Sequence, residues 1–71
     1  MGKKKHTHKH HRKPRSLGGG NELENISTVC RDKHDAWHLL FKNHPPERIA
    51  LIINNVWLDP EYYFVAVKKE K

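Results

Sequence analysis

Seventy-one residues with 14 Lys or Arg against 8 Asp or Glu describe one small basic domain. A chain this short buries a modest share of its surface and leans on metal, disulfide or partner for stability. The single cysteine, Cys30, excludes an intramolecular disulfide and a Cys-x-x-Cys zinc knuckle, and no apolar run approaches a membrane span.

The charge is concentrated at one end. Residues 1–16 hold seven Lys or Arg, four His and no acid, whereas residues 17–71 hold seven Lys or Arg against eight acids. The +6 balance is thus +7 in the first sixteen positions and −1 in the remainder. Such an arm fits a polyanionic partner, with a solvated tail as the alternative. Lys3, Lys4, Lys5 and Lys9, followed by Arg12, Lys13 and Arg15, are the candidate phosphate contacts. Residue 6 is His where a myristoylation start needs Ser or Thr. The N-terminus lacks the apolar core of a signal peptide, so a cytoplasmic location is expected and the Asn25-Ile26-Ser27 sequon reads as chance.

In chain order, residues 1–9 read as a flexible basic arm. Residues 6–13 can form a strand, ended by Pro14, which removes a ladder donor. Gly18-Gly19-Gly20 opens a wide loop. The β-branched run at residues 25–29 predicts a second, hairpin-paired strand. A helix is expected from about Arg31 to Phe41, with Trp37, Leu40 and Phe41 forming an apolar stripe beside His34 and His38. Pro45 and Pro46 end it and open a second helix reaching about Trp57. There Ile49, Ile52, Ile53, Val56 and Trp57 follow helical spacing. Asp59-Pro60-Glu61 predicts a turn, and residues 62–67 a final strand.

The histidines carry the chemistry. His34 and His38, four apart, lie on one helical face where two imidazoles can share a metal. His10 and His11 are neighbours on an extended segment and point to opposite sides. One of them can join the metal while the other faces a different partner, such as a water. Asn25 can tie the loop to the strand through its amide.

The order His10, His11, Pro14, Ser16, Gly18, Gly19, Asn25, His34, His38 resembles the HNH nucleases of ββα-metal fold, and most closely the DNase domains of colicins and pyocins. Those carry HH-x-x-P-x-S-x-G-G, then an Asn, then H-x-x-x-H. The resemblance covers residues 8–40. It departs in a loop about one residue shorter before Asn25, and in His8, which stands where the bacteriocins have an acid. Cys30 stands near a knuckle cysteine of other HNH proteins, but its partner position is Lys33.

The resemblance implies an α+β fold: a small ββα-metal (HNH, His-Me finger) core with a C-terminal helix and short strand. Residues 10–42 would be the motif and 43–71 would complete the same domain. It also implies that His10, His34 and His38 bind one divalent metal (Zn, Mg, Mn or Ni). His11 would be the general base and Asn25 would hold the loop that orients it. The expected partner is nucleic acid, DNA ahead of RNA, with a homodimer through Trp57 and the last strand, or a larger partner protein, adding stability.

Three functions follow from different classes. The first is a small HNH endonuclease hydrolysing DNA phosphodiesters. The second is a non-catalytic, zinc-stabilised nucleic-acid-binding protein with a degenerate HNH site. The third is an interaction module docking through the second helix and final strand. Intact His11 favours the first, because a structural zinc site needs no base. Small size and the crowded basic arm favour the second.

Overall fold

A computed structural model describes residues 6–70. The first element is strand β1, Thr7–His11, which pairs antiparallel with β2, Ile26–Cys30. The register sets His8 opposite Val29 and His10 opposite Ser27. Side chains alternate across a strand, so His8 and His10 share one face of the ribbon with Val29 and Ser27, while Lys9 and His11 share the other. Thr7, His8 and Lys9 are therefore part of the sheet, within the strand expected over residues 6–13. Backbone bonds from Arg12 N–H to Asn25 O and from Arg31 N–H to His6 O, 2.8 and 2.9 Å, extend the pairing at both ends.

The loop between the strands holds two short 3-10 turns, Arg15–Leu17 and Leu23–Asn25. Asn25 thus closes a turn instead of opening the second strand. Gly18 adopts φ +96°, open to glycine at little cost. A Cβ at Gly19 would run into the Lys13 carbonyl, so the loop can fold back on the strand end only with glycine there.

Helix α1, Arg31–Phe41, follows β2 without a linker. Asp32 in its first turn complements the helix dipole. Its apolar side packs Trp37 on Phe41, ring centroids 4.6 Å apart, and Phe41 is the one buried hydrophobic among the described residues. Leu40, expected in the same stripe, remains 41% exposed. Lys42 then takes a positive φ of 50° and ends the helix.

Helix α2, Pro46–Ile52, starts with proline in its first turn, where a missing N–H costs nothing. It continues as a wider π turn, Ile53–Trp57, closed by a Leu58 N–H to Ile53 O bond of 2.8 Å. The i→i+5 spacing rotates the stripe away from 3.6-residue geometry. Ile49, Ile52 and Ile53 stay half-buried, whereas Val56 and Trp57 are 65% and 60% exposed.

The expected final strand does not form. Residues 62–70 pair with no strand, and Tyr62, Tyr63, Phe64, Val65 and Val67 are all exposed. A single side chain stands in for a partner strand. The Asn54 amide accepts from Phe64 N–H at 2.8 Å and donates to Phe64 O at 2.9 Å. A strand-forming composition needs a second backbone to bond, and here it finds one amide. The architecture is a two-stranded ribbon and a helix, followed by a C-terminal helix.

Candidate metal centre

The ribbon lies against α1, and the contact is made of imidazoles. His8 and His10 project from the same face of β1, two residues apart. His34 and His38 project from one face of α1, four apart. The His34 ring sits between the two strand histidines, with centroids 5.2 Å from each, and 4.6 Å from His38. Trp37 closes one flank, 6.0 Å from His10 in an edge-on arrangement.

Within this cluster, one nitrogen from each of His10, His34 and His38 lies within 4.8 Å of the other two. His34 Nε2 and His38 Nε2 are 3.0 Å apart. Donors on a tetrahedral zinc, at about 2.0–2.1 Å from the ion, stand roughly 3.3 Å from one another, so this pair is already spaced as ligands. His10 Nδ1 is buried with no hydrogen-bond partner. Leaving such a group unmet costs about 1–3 kcal/mol, a cost that a ligand at the cluster removes. The donor set therefore suits a transition metal: three imidazole nitrogens and no competing ammonium among them.

The electrostatics point the same way. Burial pushes the His10 pKa below the ordinary histidine value, helped by the neighbouring His34, His38, His11 and Arg12 charges. Burial also lowers His34, with His38 and His8 adding to the shift and Asp35 partly opposing it. Both shifts favour the neutral form of His10 and His34, with lone pairs available.

His11 faces the loop instead. Its Nε2–H donates to Asn21 Oδ1 at 3.0 Å, the ring orientation in which Nδ1 keeps its lone pair. Asn25 does not touch His11. Its amide accepts from Lys13 N–H at 2.7 Å and donates to Lys13 O and Gly20 O at 3.2 and 2.8 Å. It thereby staples the end of β1 to the glycine loop, and Asn21, one residue beyond Gly20, is carried to His11. Sequence reasoning singled out Asn25 and missed Asn21, since nothing local distinguishes the two amides. Lys33 was also missed. It lines a shallow cleft with His10, Arg12, Ser27, Val29 and Trp37 beside the cluster, and its place just before His34 was the available signal.

The basic residues are dispersed. Lys9, Arg12, Lys13 and Arg15 are all exposed, and Arg12 spends one guanidinium N–H on Glu24 O at 2.9 Å. Lys9 lies on the ribbon face opposite the imidazole cluster. Lys3, Lys4 and Lys5 lie outside the described residues. No helix among the described residues is long and apolar enough to cross a membrane.

No curated protein and no solved structure matches the chain. The family model described as HNH endonuclease matches residues 2–38, just over half of the 71 residues and the stretch that contains both strands and all three clustered donors. The chain belongs to the HNH endonuclease family.

Proposed function

We propose that this protein is a small endonuclease that hydrolyses DNA phosphodiester bonds with one divalent metal. The observation that carries the reading is the pairing of two different environments on adjacent residues. His10 joins His34 and His38 on the α1 side of β1, while His11 is turned to the loop and held by Asn21. HNH domains use a divalent metal, and His10, His34 and His38 are the residues that would hold it here. When bound, the metal supplies Lewis-acid polarisation of the phosphate and stabilises the leaving 3′-oxygen.

The chain's own residues do the remaining work. His11, with Nε2–H committed to Asn21, offers Nδ1 as the base that takes a proton from the attacking water. The water oxygen bonds to phosphorus, the bond to the 3′-oxygen breaks, the departing oxygen takes a proton from solvent, and the products carry a 5′-phosphate and a 3′-hydroxyl. Asn25 acts as a positioning residue, holding Lys13 and Gly20 so that the loop presents Asn21. Arg12 and Lys33 beside the cluster supply positive charge for the scissile strand. The order shared with colicin and pyocin DNases favours DNA over RNA as substrate.

A second reading is favoured by the thin core. With Phe41 alone buried among the described residues, a metal at the imidazoles would contribute to folding in its own right, as in a zinc-stabilised binding protein. Supercoiled-plasmid nicking with magnesium, manganese, nickel and zinc separates the two. The endonuclease converts plasmid to the nicked form in at least one metal and not in chelator. Binding without nicking in every metal overturns the catalytic reading.

The seven basic residues from Lys3 to Arg15 are the proposed backbone contacts, giving affinity without much sequence preference. Log affinity should fall with log salt at a slope of about −0.9 per neutralised phosphate on duplex DNA. Replacing Lys3, Lys4, Lys5 and Lys9 by Gln should flatten that slope and weaken all sequences alike, as read by fluorescence anisotropy across a salt series. His10 and His11 stay in place, so binding is separated from chemistry. Unchanged affinity and slope would show the arm to be a solvated tail.

A further inference from the structure

We propose that His8 is a positioning residue that fixes the tautomer and the ring plane of His34, and is not itself a metal ligand; the inference rests on the metal reading of the cluster. His8 Nδ1 lies 3.0 Å from His34 Nδ1, while His34 Nε2 lies 3.0 Å from His38 Nε2. The two nitrogens of one imidazole point away from each other. A group bonded to Nδ1 of His34 is therefore on the far side of the ring from whatever binds Nε2. His8 is also outside the set of mutually close donors formed by His10, His34 and His38.

The proton count then decides the polarity. The His8–His34 contact holds one hydrogen between its two nitrogens. With Nε2 of His34 offering its lone pair to the metal, the ring's one N–H is at Nδ1 and must be the donor. His8 Nδ1 must be the acceptor, which leaves His8 protonated at Nε2. A ligating histidine whose second nitrogen has a fixed acceptor keeps its ring orientation and gains basicity. His34 needs that help. It sits in the first turns of α1, half-buried, with the edge-on rings of His8 and His10 as the walls that hold it. Strand pairing supplies the acceptor at low entropic cost, because His8 is on the same face as His10 and in register with Val29.

The test uses zinc titration of the full chain, wild type against His8→Phe and His8→Asn. Phe keeps a ring between strand and helix but accepts no hydrogen bond; the Asn amide oxygen falls close to the place of Nδ1. Loss of an outer partner of a ligating His costs about 10–100-fold in metal affinity, so His8→Phe should fall by that factor and His8→Asn by no more than about threefold. Wild-type affinity in His8→Phe overturns the inference, as does an equal loss in both variants. A second measurement needs no variant. Long-range proton–nitrogen NMR spectra of the zinc-loaded wild type should show His34 protonated at Nδ1 and His8 at Nε2. Metal-bound or Nδ1-protonated His8 overturns it. A wild-type chain that takes up no metal overturns both this inference and the site reading; a wild type that binds metal, with His8→Phe unaffected, removes the inference alone.

Discussion

His11→Ala is expected to abolish most DNA cleavage while leaving the metal and the fold in place. Removing a general base typically lowers the rate by about 10²–10⁴. The side chain is separable from the cluster because β1 turns it to the opposite ribbon face, where its contact is the exposed Asn21 amide. Single-turnover nicking, paired with a zinc titration on the same preparation, reads both properties. Cleavage at the wild-type rate would remove His11 from the mechanism. Loss of metal binding along with activity would make it a ligand. Asn21→Ala should produce a smaller fall of the same kind, because the ring keeps its place on the strand and loses only the contact that orients it.

His34→Ala is expected to lose metal affinity and thermal stability together. His34 is the centre of the cluster, in contact with His8 on one nitrogen and His38 on the other. Its loss leaves His10 and His38 as two donors whose rings are 5.7 Å apart. At free metal a hundredfold above the dissociation constant, binding stabilises the folded state by about 2.7 kcal/mol. In a domain of 60–100 residues about 1 kcal/mol moves the melting temperature by roughly 4–8 °C, so the metal-induced rise should be on the order of 10–20 °C in wild type and close to zero in the variant. Calorimetric titration and a melting curve with and without zinc check this. Wild-type zinc affinity in His34→Ala would sink the ligand assignment.

The elements that carry the histidines were more legible than the loop and the C-terminal segment, and the reason lies in the range of the interactions. His34 and His38 share a face because any α-helix puts i and i+4 together. His10 and His11 part company because any strand alternates. Helix α1 at Arg31–Phe41 and the proline start of α2 were equally local. Local rules do not say which of two asparagines in a loop reaches a histidine. Asn25 and Asn21 differ only in where the glycine loop places them, and that depends on the Lys13 carbonyl passing over Gly19.

The C-terminal segment shows the opposite case. Tyr62 to Val67 has the composition of a strand, and composition was the whole basis for expecting one. A strand exists only when another backbone supplies the bonds, and the nearest donor and acceptor turned out to be one Asn54 side chain. The π turn that ends α2 likewise depends on how many residues the chain fits between Ile53 and Leu58, which hydrophobic spacing does not encode. The sequence by itself determined the elements that present the histidines, since periodicity and side-chain chemistry are properties of neighbouring residues. Only the tertiary structure decided that His8 stands behind His34, that Asn21 holds His11 and that the last strand is missing, because each depends on a contact ten or more residues away in the chain.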